Sequence, residues 1–294
     1  MTVATQTSDG DKLTLRIRAR IDGLSAALVR VLEFIDSHRL DTLTLSAADI
    51  GVLTSTSDAT VIRAVKALGF DGFNDLKEEL AGSFGQGHSA ADNMVRTFSE
   101  ITETVDAAID CILTDHTVAL QALRTAEARV QMASAAKIIS AARRIGVFGL
   151  GPSSHLARYF GLQLSRMGRP AVIFDGLGMA LADQLIAMPD VDVLVMLAYG
   201  RPYKEALACI AEARRLRKRI VIITDYEDSG FESKATAVVN VHRGQAGRVA
   251  MHGATFVCLE AILLAVASRQ KSATIMSLKR LNELRKSVGR TSPQ

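Results

Sequence analysis

The stretch RIGVFGLGPSSHLARYFGLQLSRMG, residues 144–168, decides the fold. It opens on a short, nearly continuous apolar run, breaks at Gly149-Leu150-Gly151, and resumes with apolar residues at helical spacing. An apolar run of that length suits a strand buried on both faces. The glycines suit a tight turn, and the amphipathic segment after them suits a helix. The unit reads as strand, turn, helix.

Working toward the carboxy terminus, four more apolar runs follow: AVIFDG from residue 171, VDVLVMLAYG from 191, RIVIITDYE from 219 and AVVNVHR from 237. Helical patterns lie between the first four, at about 154–167, 180–187 and 203–216, and a short helical turn near 231–234 precedes the fifth. Such alternation predicts a five-stranded parallel sheet covered on both sides through right-handed crossovers, an α/β three-layer (αβα) domain.

Working toward the amino terminus, residues from about 93 to 143 are helical and Ala-rich. Ile101, Val105, Ile109 and Ile112 recur at helical spacing, with Thr102, Glu103, Asp106 and Asp110 on the other face. Such helices connect two domains and bury one stripe against a partner. GSFGQGHSA, residues 82–90, is the linker candidate.

Before it, ADIGVLTSTSDATVIRAVKALGFDGF carries a helix-turn-helix pattern within an all-α domain. A first helix is predicted over Ala47–Leu53, with Ile50 and Leu53 inward, and Thr54, Ser55 and Thr56 make the turn. Ser57 is a good N-cap for a second helix reaching Leu68, and Gly69 supplies the left-handed position after it. Val61, Val65 and Leu68 face inward, while Thr60, Arg63 and Lys66 share much of the other face. A helix in a major groove needs this division, with short polar groups near its start and an Arg able to bond a guanine twice. The candidate DNA-binding residues are Ser57, Thr60, Arg63 and Lys66, and the partner is double-stranded operator DNA. Charge opposes this: residues 1–88 hold nine Lys/Arg against twelve Asp/Glu, a net of −3. Asp71, Asp75, Glu78 and Glu79 would have to point away from a duplex.

The whole chain is 294 residues, 48% hydrophobic and 22% charged, which suits about two globular domains and excludes a disordered chain or a disulfide-stapled miniprotein. A formal charge of +4 implies no polyelectrolyte, and 5% aromatics without Trp argue against a base-stacking platform. Cys111, Cys209 and Cys258 lack metal or CxxC spacing and read as reduced thiols of a cytoplasmic protein. No secretory leader is read in the first twenty residues. VAMHGATFVCLEAILLAVAS, residues 249–268, is long enough for a bilayer, but Glu260 and His252 favour a buried helix at a subunit or domain contact. The tail IMSLKRLNELRKSVGR reads as a basic amphipathic helix whose Ile275, Leu278 and Leu281 pack on a neighbouring subunit. No catalytic constellation, metal set or cofactor is readable, and His242 and His252 read as ordinary structural histidines. The predicted organisation is 12–81 helix-turn-helix, 82–143 linker and connecting helices, 144–270 α/β domain, and 271–294 helix and tail.

The segment TSDATVIRAVKALGFDGFNDLKEEL resembles the RpiR-type helix-turn-helix, whose pattern runs roughly S-x-x-T-V-x-R-x-x-(K/R)-x-L-G-(F/Y)-x-(G/S)-(F/Y). Ser57, Thr60, Val61, Arg63, Lys66, Leu68, Gly69, Phe70, Gly72, Phe73, Leu76 and Lys77 match. Gly51 stands where that family more often has Ala. The resemblance implies a bacterial transcription regulator. AARRIGVFGLGPSSHLARYFGLQLSRMG and IVIITDYEDSGFESKATAVVNV are similar to the SIS (sugar isomerase) domain, the usual companion of that motif.

At the turn after the first strand, Gly149, Gly151, Ser153 and Ser154 suit an anion, since a helix start offers N–H groups and partial positive charge. A phosphorylated sugar and a dinucleotide compete for this loop. For the dinucleotide, Asp175 could meet a ribose, but Ser154 stands where a third glycine belongs. The SIS resemblance implies a second phosphate loop of the form S-x-S-G-x-T. LAYGRPYKE stands there instead, with Tyr199 and Pro202 in place of hydroxyl residues, so Tyr199 can narrow the pocket and Arg201 can restore charge. Thr224, at the end of the fourth strand, completes the candidate effector residues. The expected effector is a small anion, a phosphosugar or a sugar-derived acid, sensed by a homodimer or homotetramer that regulates a catabolic operon. A sugar-phosphate isomerase or a nucleotide-binding enzyme is the competing reading.

Overall fold

The computed structural model describes residues 12–83, 90–101, 104–199, 203–225, 234–245 and 248–288. The chain divides into two compact units, Met1–Gly87 and His88–Gln294.

The first unit is all helical: α1 (Lys12–Arg20), α2 (Ala26–Ser37), α3 (Arg39–Thr44), α4 (Ala47–Leu53), α5 (Asp58–Ala67) and α6 (Phe73–Ser83). Ile17, Val31, Leu32, Ile35, Ile50, Val61, Val65, Leu68 and Leu76 are buried in one core. Each such side chain contributes about 1.5–3 kcal/mol of apolar burial. A capping box starts α4: Asp49 N–H donates to Ser46 Oγ (3.1 Å) and Ser46 N–H to Asp49 Oδ2 (2.9 Å). The turn into α5 runs tightly past α4. A Cβ on Gly51 would lie 3.0 Å from Thr56 O and 3.1 Å from Asp58 N, which is why this helix carries glycine at its centre. One expectation is corrected: Leu53 is exposed, because Thr54 takes the inward place after Ile50 and returns its hydroxyl to Ile50 O at 2.8 Å.

The second unit opens with α7 (Ala90–Glu100), α8 (Val105–Ala122) and α9 (Ala126–Ser140). Strands and helices then alternate: β1 (Ile145–Gly149), α10 (Pro152–Arg166), β2 (Ala171–Phe174), α11 (Met179–Leu185), β3 (Val193–Leu197), α12 (Lys204–Arg215), β4 (Arg219–Thr224) and β5 (Ala237–Asn240). All pairings are parallel, in the order β2-β1-β3-β4-β5. This is the three-layer αβα domain that the alternation predicts. Val147, Val195 and Ile223 turn to the face covered by α9 and α10. Helices α11 and α12 pack on β2 and β4. The central strands β1 and β3 are buried throughout, whereas the edge strands β2 and β5 are half-buried.

Two helices close the chain, α13 (Gly253–Arg269) and α14 (Lys271–Val288). Most of the long apolar stretch 249–268 forms α13, which buries Cys258, Leu259, Ile262 and Val266 against α9 and α10. Its Glu260 is exposed and accepts from Tyr159 Oη at 2.8 Å. Among the described residues no single helix is long and apolar enough to cross a membrane. Val105 and Ile109 on α8 and Ile275 on α14 are exposed within the single chain. All three cysteines are free, with Cys209 and Cys258 buried.

Candidate functional site

Two surfaces carry candidate chemistry, one in each unit. In the first, Ser57 Oγ accepts from Thr60 N–H at 3.2 Å and so starts α5 as an N-cap. Arg63 and Lys66 stand exposed on the face opposite buried Val61 and Val65. Thr60 departs from its expected place. It is buried, and its hydroxyl pairs with Ser57 Oγ (2.9 Å) and accepts from Arg63 Nη2 (3.1 Å). It holds Arg63 rather than facing outward. At the other end of α5, Arg20 donates to Ala67 O (3.0 Å) and Arg16 to Gly69 O (3.3 Å), with Gly69 in the left-handed region at φ +86°. These cations meet the carbonyl end of the helix, where its dipole favours them. The four carboxylates Asp71, Asp75, Glu78 and Glu79 are exposed on α6 and the turn before it, not on α5.

In the second unit a cavity of about 310 Å³ opens at the carboxyl ends of β1 and β3. Strand order reverses between these neighbours, and parallel sheets bind ligands at such a point. Leu150, Pro152 and Ser153 form its β1 side, and Ala198, Tyr199 and Tyr203 its β3 side. Arg243 follows β5, and Ala250, Met251 and His252 precede α13; together they close the cavity.

The polar groups of this cavity are linked. Arg243 donates from Nε and Nη2 to Asp225 Oδ2 at 2.7 and 2.6 Å. Its guanidinium lies 4.3 Å from the centroid of the Tyr199 ring. Tyr199 meets the His252 ring edge-on at 5.2 Å and donates its hydroxyl to Thr255 Oγ1 at 3.2 Å. Burial pushes the Tyr199 phenol above its ordinary range, so it remains a donor. Burial, with the Arg243 cation beside it, pulls His252 down to about 4, and Asp225 offsets part of this. The imidazole is therefore neutral near pH 7.

The sequence-derived effector residues divide in this geometry. Ser153 and Tyr199 line the cavity. Gly149 and Gly151 belong to the turn that carries Leu150 and Ser153 and do not line the cavity themselves. A Cβ on Gly149 would lie 2.5 Å from Ser153 O, and Gly151 takes φ +53°. Ser154 turns its hydroxyl back to Gly151 O at 2.7 Å. The start of α10 offers fewer amides than expected: Pro152 has none, and Ser153 and Ser154 N–H are bonded to Leu150 O and Gly151 O. Thr224 is fully buried in β4 and is not among the lining residues. Arg201, with Gly200 and Pro202, lies outside the described residues, as do most of the linker and residues 231–233. Asp175, the ribose candidate, is engaged by Arg158 Nη2 at 2.6 Å and Gln184 Nε2 at 3.0 Å. Sequence pattern does not single out Arg243, and it gives His252 a structural role, whereas both line the cavity. The signal available was a lone cation ending an apolar strand at the carboxyl edge of the sheet.

The comparisons agree with this architecture. Residues 12–87 match the helix-turn-helix domain of the rpiR family, and residues 138–268 match the SIS domain. The HTH-type transcriptional regulator YfhH of Escherichia coli is 21% identical over 76% of this chain and 78% of its own length. An HTH-type transcriptional regulator of Caldanaerobacter subterraneus is 21% identical over 91% of this chain and 95% of its own. The Vibrio vulnificus NanR protein, solved in complex with ManNAc-6P, is 20% identical with a TM-score of 0.50, covering 95% of this chain and 100% of its own, and shows the shared fold. With a helix-turn-helix of that type joined to a SIS domain across most of its length, the chain belongs to the RpiR family of transcriptional regulators.

Proposed function

We propose that the protein binds operator DNA through the exposed face of α5 and adjusts that binding to a small anionic metabolite held in the SIS cavity. The observation that carries the reading is the division of α5. Val61 and Val65 are buried, whereas Arg63 and Lys66 stand free of the core on a helix capped at both ends. Ser57, Arg63 and Lys66 act at the duplex, and Thr60 acts by holding Arg63. Two copies present paired helices to half-sites about 34 Å apart. The protein works in the cytoplasm as a sensor without turnover. The regulator relatives and the ManNAc-6P complex of NanR support this reading.

Ser153, Tyr199, Arg243 and His252 form the sensing set. An effector changes DNA binding only through differential affinity for two arrangements of the chain. The loop at 248–252 is where such a difference would be felt. Its Ala250, Met251 and His252 line the cavity, while its Arg248 and Val249 bond α7. Helix α7 is the first described element after the linker from the helix-turn-helix unit.

Selection of bound fragments from a genomic library tests the DNA half. Enrichment of sites with two half-sites near one helical turn apart, lost in Arg63→Ala, is expected. No enrichment over bulk DNA at 150 mM salt would reject it. Incubation with aldose and ketose phosphates tests the absence of turnover: interconversion would favour the isomerase reading.

A further inference from the structure

We propose that the SIS cavity takes a carboxylate, the acid group of an oxidised sugar or a related hydroxy acid, and that Arg243 is its specificity-determining residue. The inference rests on the sensing role proposed above and narrows its ligand. Arg243 is built into the cavity wall. Asp225 holds its Nε and Nη2, and its Cζ stands over the Tyr199 ring, 4.3 Å from the centroid. Its guanidinium is thus held by an ion pair on one edge and by contact with an aromatic ring. Nη1 makes no hydrogen bond to another described residue, so the Nη1–Nη2 edge is left for a ligand. A guanidinium edge and a carboxylate match as two parallel N–H···O bonds in one plane.

Charge points the same way. Asp225 already balances Arg243, and His252 beside it is neutral because burial pulls it down to about 4. The start of α10 gives the cavity the Ser153 hydroxyl, since its first amides are bonded to Leu150 O and Gly151 O and Pro152 has none. A phosphate monoester brings nearly two negative charges and three acceptor oxygens, and it is met elsewhere by a nest of free N–H groups. Among the described lining residues the Arg243 edge offers N–H groups for two oxygens, and no second cation stands beside it to answer a second charge. The remaining lining is largely apolar, with Phe148, Leu197 and Met251 around it.

The test is calorimetric titration of the full chain with matched ligands. One set holds hexonates, hexuronates and short 2-hydroxy acids; the other holds the 6-phosphates of the same sugars and of N-acetylmannosamine. A member of the acid set should bind at least tenfold tighter than the phosphate ester of the same skeleton. Arg243→Lys keeps the charge opposite Asp225 but lacks the planar fork, and it should weaken that binding at least tenfold. Circular dichroism on that variant reports whether the fold is kept. A phosphate ester bound tenfold tighter than any acid, or acid binding indifferent to Arg243→Lys, overturns the inference and leaves the sensing role standing. Binding of neither set, with operator affinity unmoved by both, overturns the sensing role itself and this inference with it.

Discussion

Val249 donates its backbone N–H to Oγ1 of Thr97 across 2.9 Å, so the loop that closes the cavity is stitched to the last turn of α7. Thr97 is buried, and its hydroxyl hydrogen is spent on Asn93 O at 2.7 Å, so it acts toward Val249 as an acceptor. One residue away, Arg248 donates from Nε to Glu100 Oε2 at 2.7 Å, and its Nη1 lies 3.4 Å from Asp115 Oδ1 on α8. The hydrogen bond from Arg248 and, after it, that from Arg96 Nε at 3.0 Å hold the Glu100 carboxyl below its ordinary value.

Thr97→Val removes the acceptor while keeping the shape. It leaves a half-buried N–H unpaired, which costs about 1 kcal/mol. Urea unfolding should show that loss, and amide exchange at Val249 should quicken. Unchanged protection at Val249 would mean that the bond does not hold the loop.

Arg63 and Thr60 on α5 separate by mechanism. Arg63→Ala removes the group proposed to meet a base edge, so operator affinity should fall by about 1–3 kcal/mol with discrimination between sites flattened. Thr60→Val keeps Arg63 but removes the oxygen that accepts from it at 3.1 Å. It should weaken operator binding by less, and weaken stability as well, because the Ser57 cap loses its partner at 2.9 Å. Anisotropy titrations on specific and scrambled duplexes at one salt concentration check both. Equal discrimination by Arg63→Ala and the parent would remove Arg63 from the reading face.

Most of the architecture was legible because its signals are local. The caps of α5 at Ser57 and Gly69 lie within the segment they terminate, and β1, β3 and β4 announce themselves as unbroken apolar runs. Leu53 and Thr60 were misplaced for a local reason too. Helical spacing ranks faces, but the turn at Thr54 and the hydroxyl chain from Ser57 to Arg63 decide which side chain is drawn in. The cavity was legible by half. Ser153 follows a glycine turn that spacing reveals, and Tyr199 stands in the loop after β3 that the resemblance marks, whereas Arg243 and His252 join them only because β3, β5 and the start of α13 meet at the same edge. Parallel order β2-β1-β3-β4-β5 makes that meeting, and a single sequence does not state the order.

Gly149→Ala tests the turn that places Ser153. The added Cβ would sit 2.5 Å from Ser153 O and 3.1 Å from Ala157 Cβ, both on α10. The first is backbone, so the helix start must shift, at a cost of about 1–3 kcal/mol. A lowered melting temperature is expected, together with weaker binding of whichever acid the parent binds. A variant as stable as the parent, with ligand binding intact, would show that β1 and α10 have room that the close approach denies.

His252 sets a pH signature with a defined sign. Its folded value, about 4, lies below the ordinary value of 6.5, first because it is buried and then because Arg243 faces it, with Asp225 opposing. Between those two values the unfolded chain binds the extra proton and the folded chain does not. Unfolding free energy therefore rises with pH across that window, and stability is lost as pH falls from about 6.5 toward 4. Carboxylates held low, such as Glu100 and Asp192, add their own losses at the acid end, so the comparison must be between variants. His252→Asn removes the titrating group while keeping a polar side chain. Its melting temperature should fall less than the parent's between pH 6.5 and 4, and parallel curves for the two proteins would place the His252 ring in contact with water rather than packed against Tyr199.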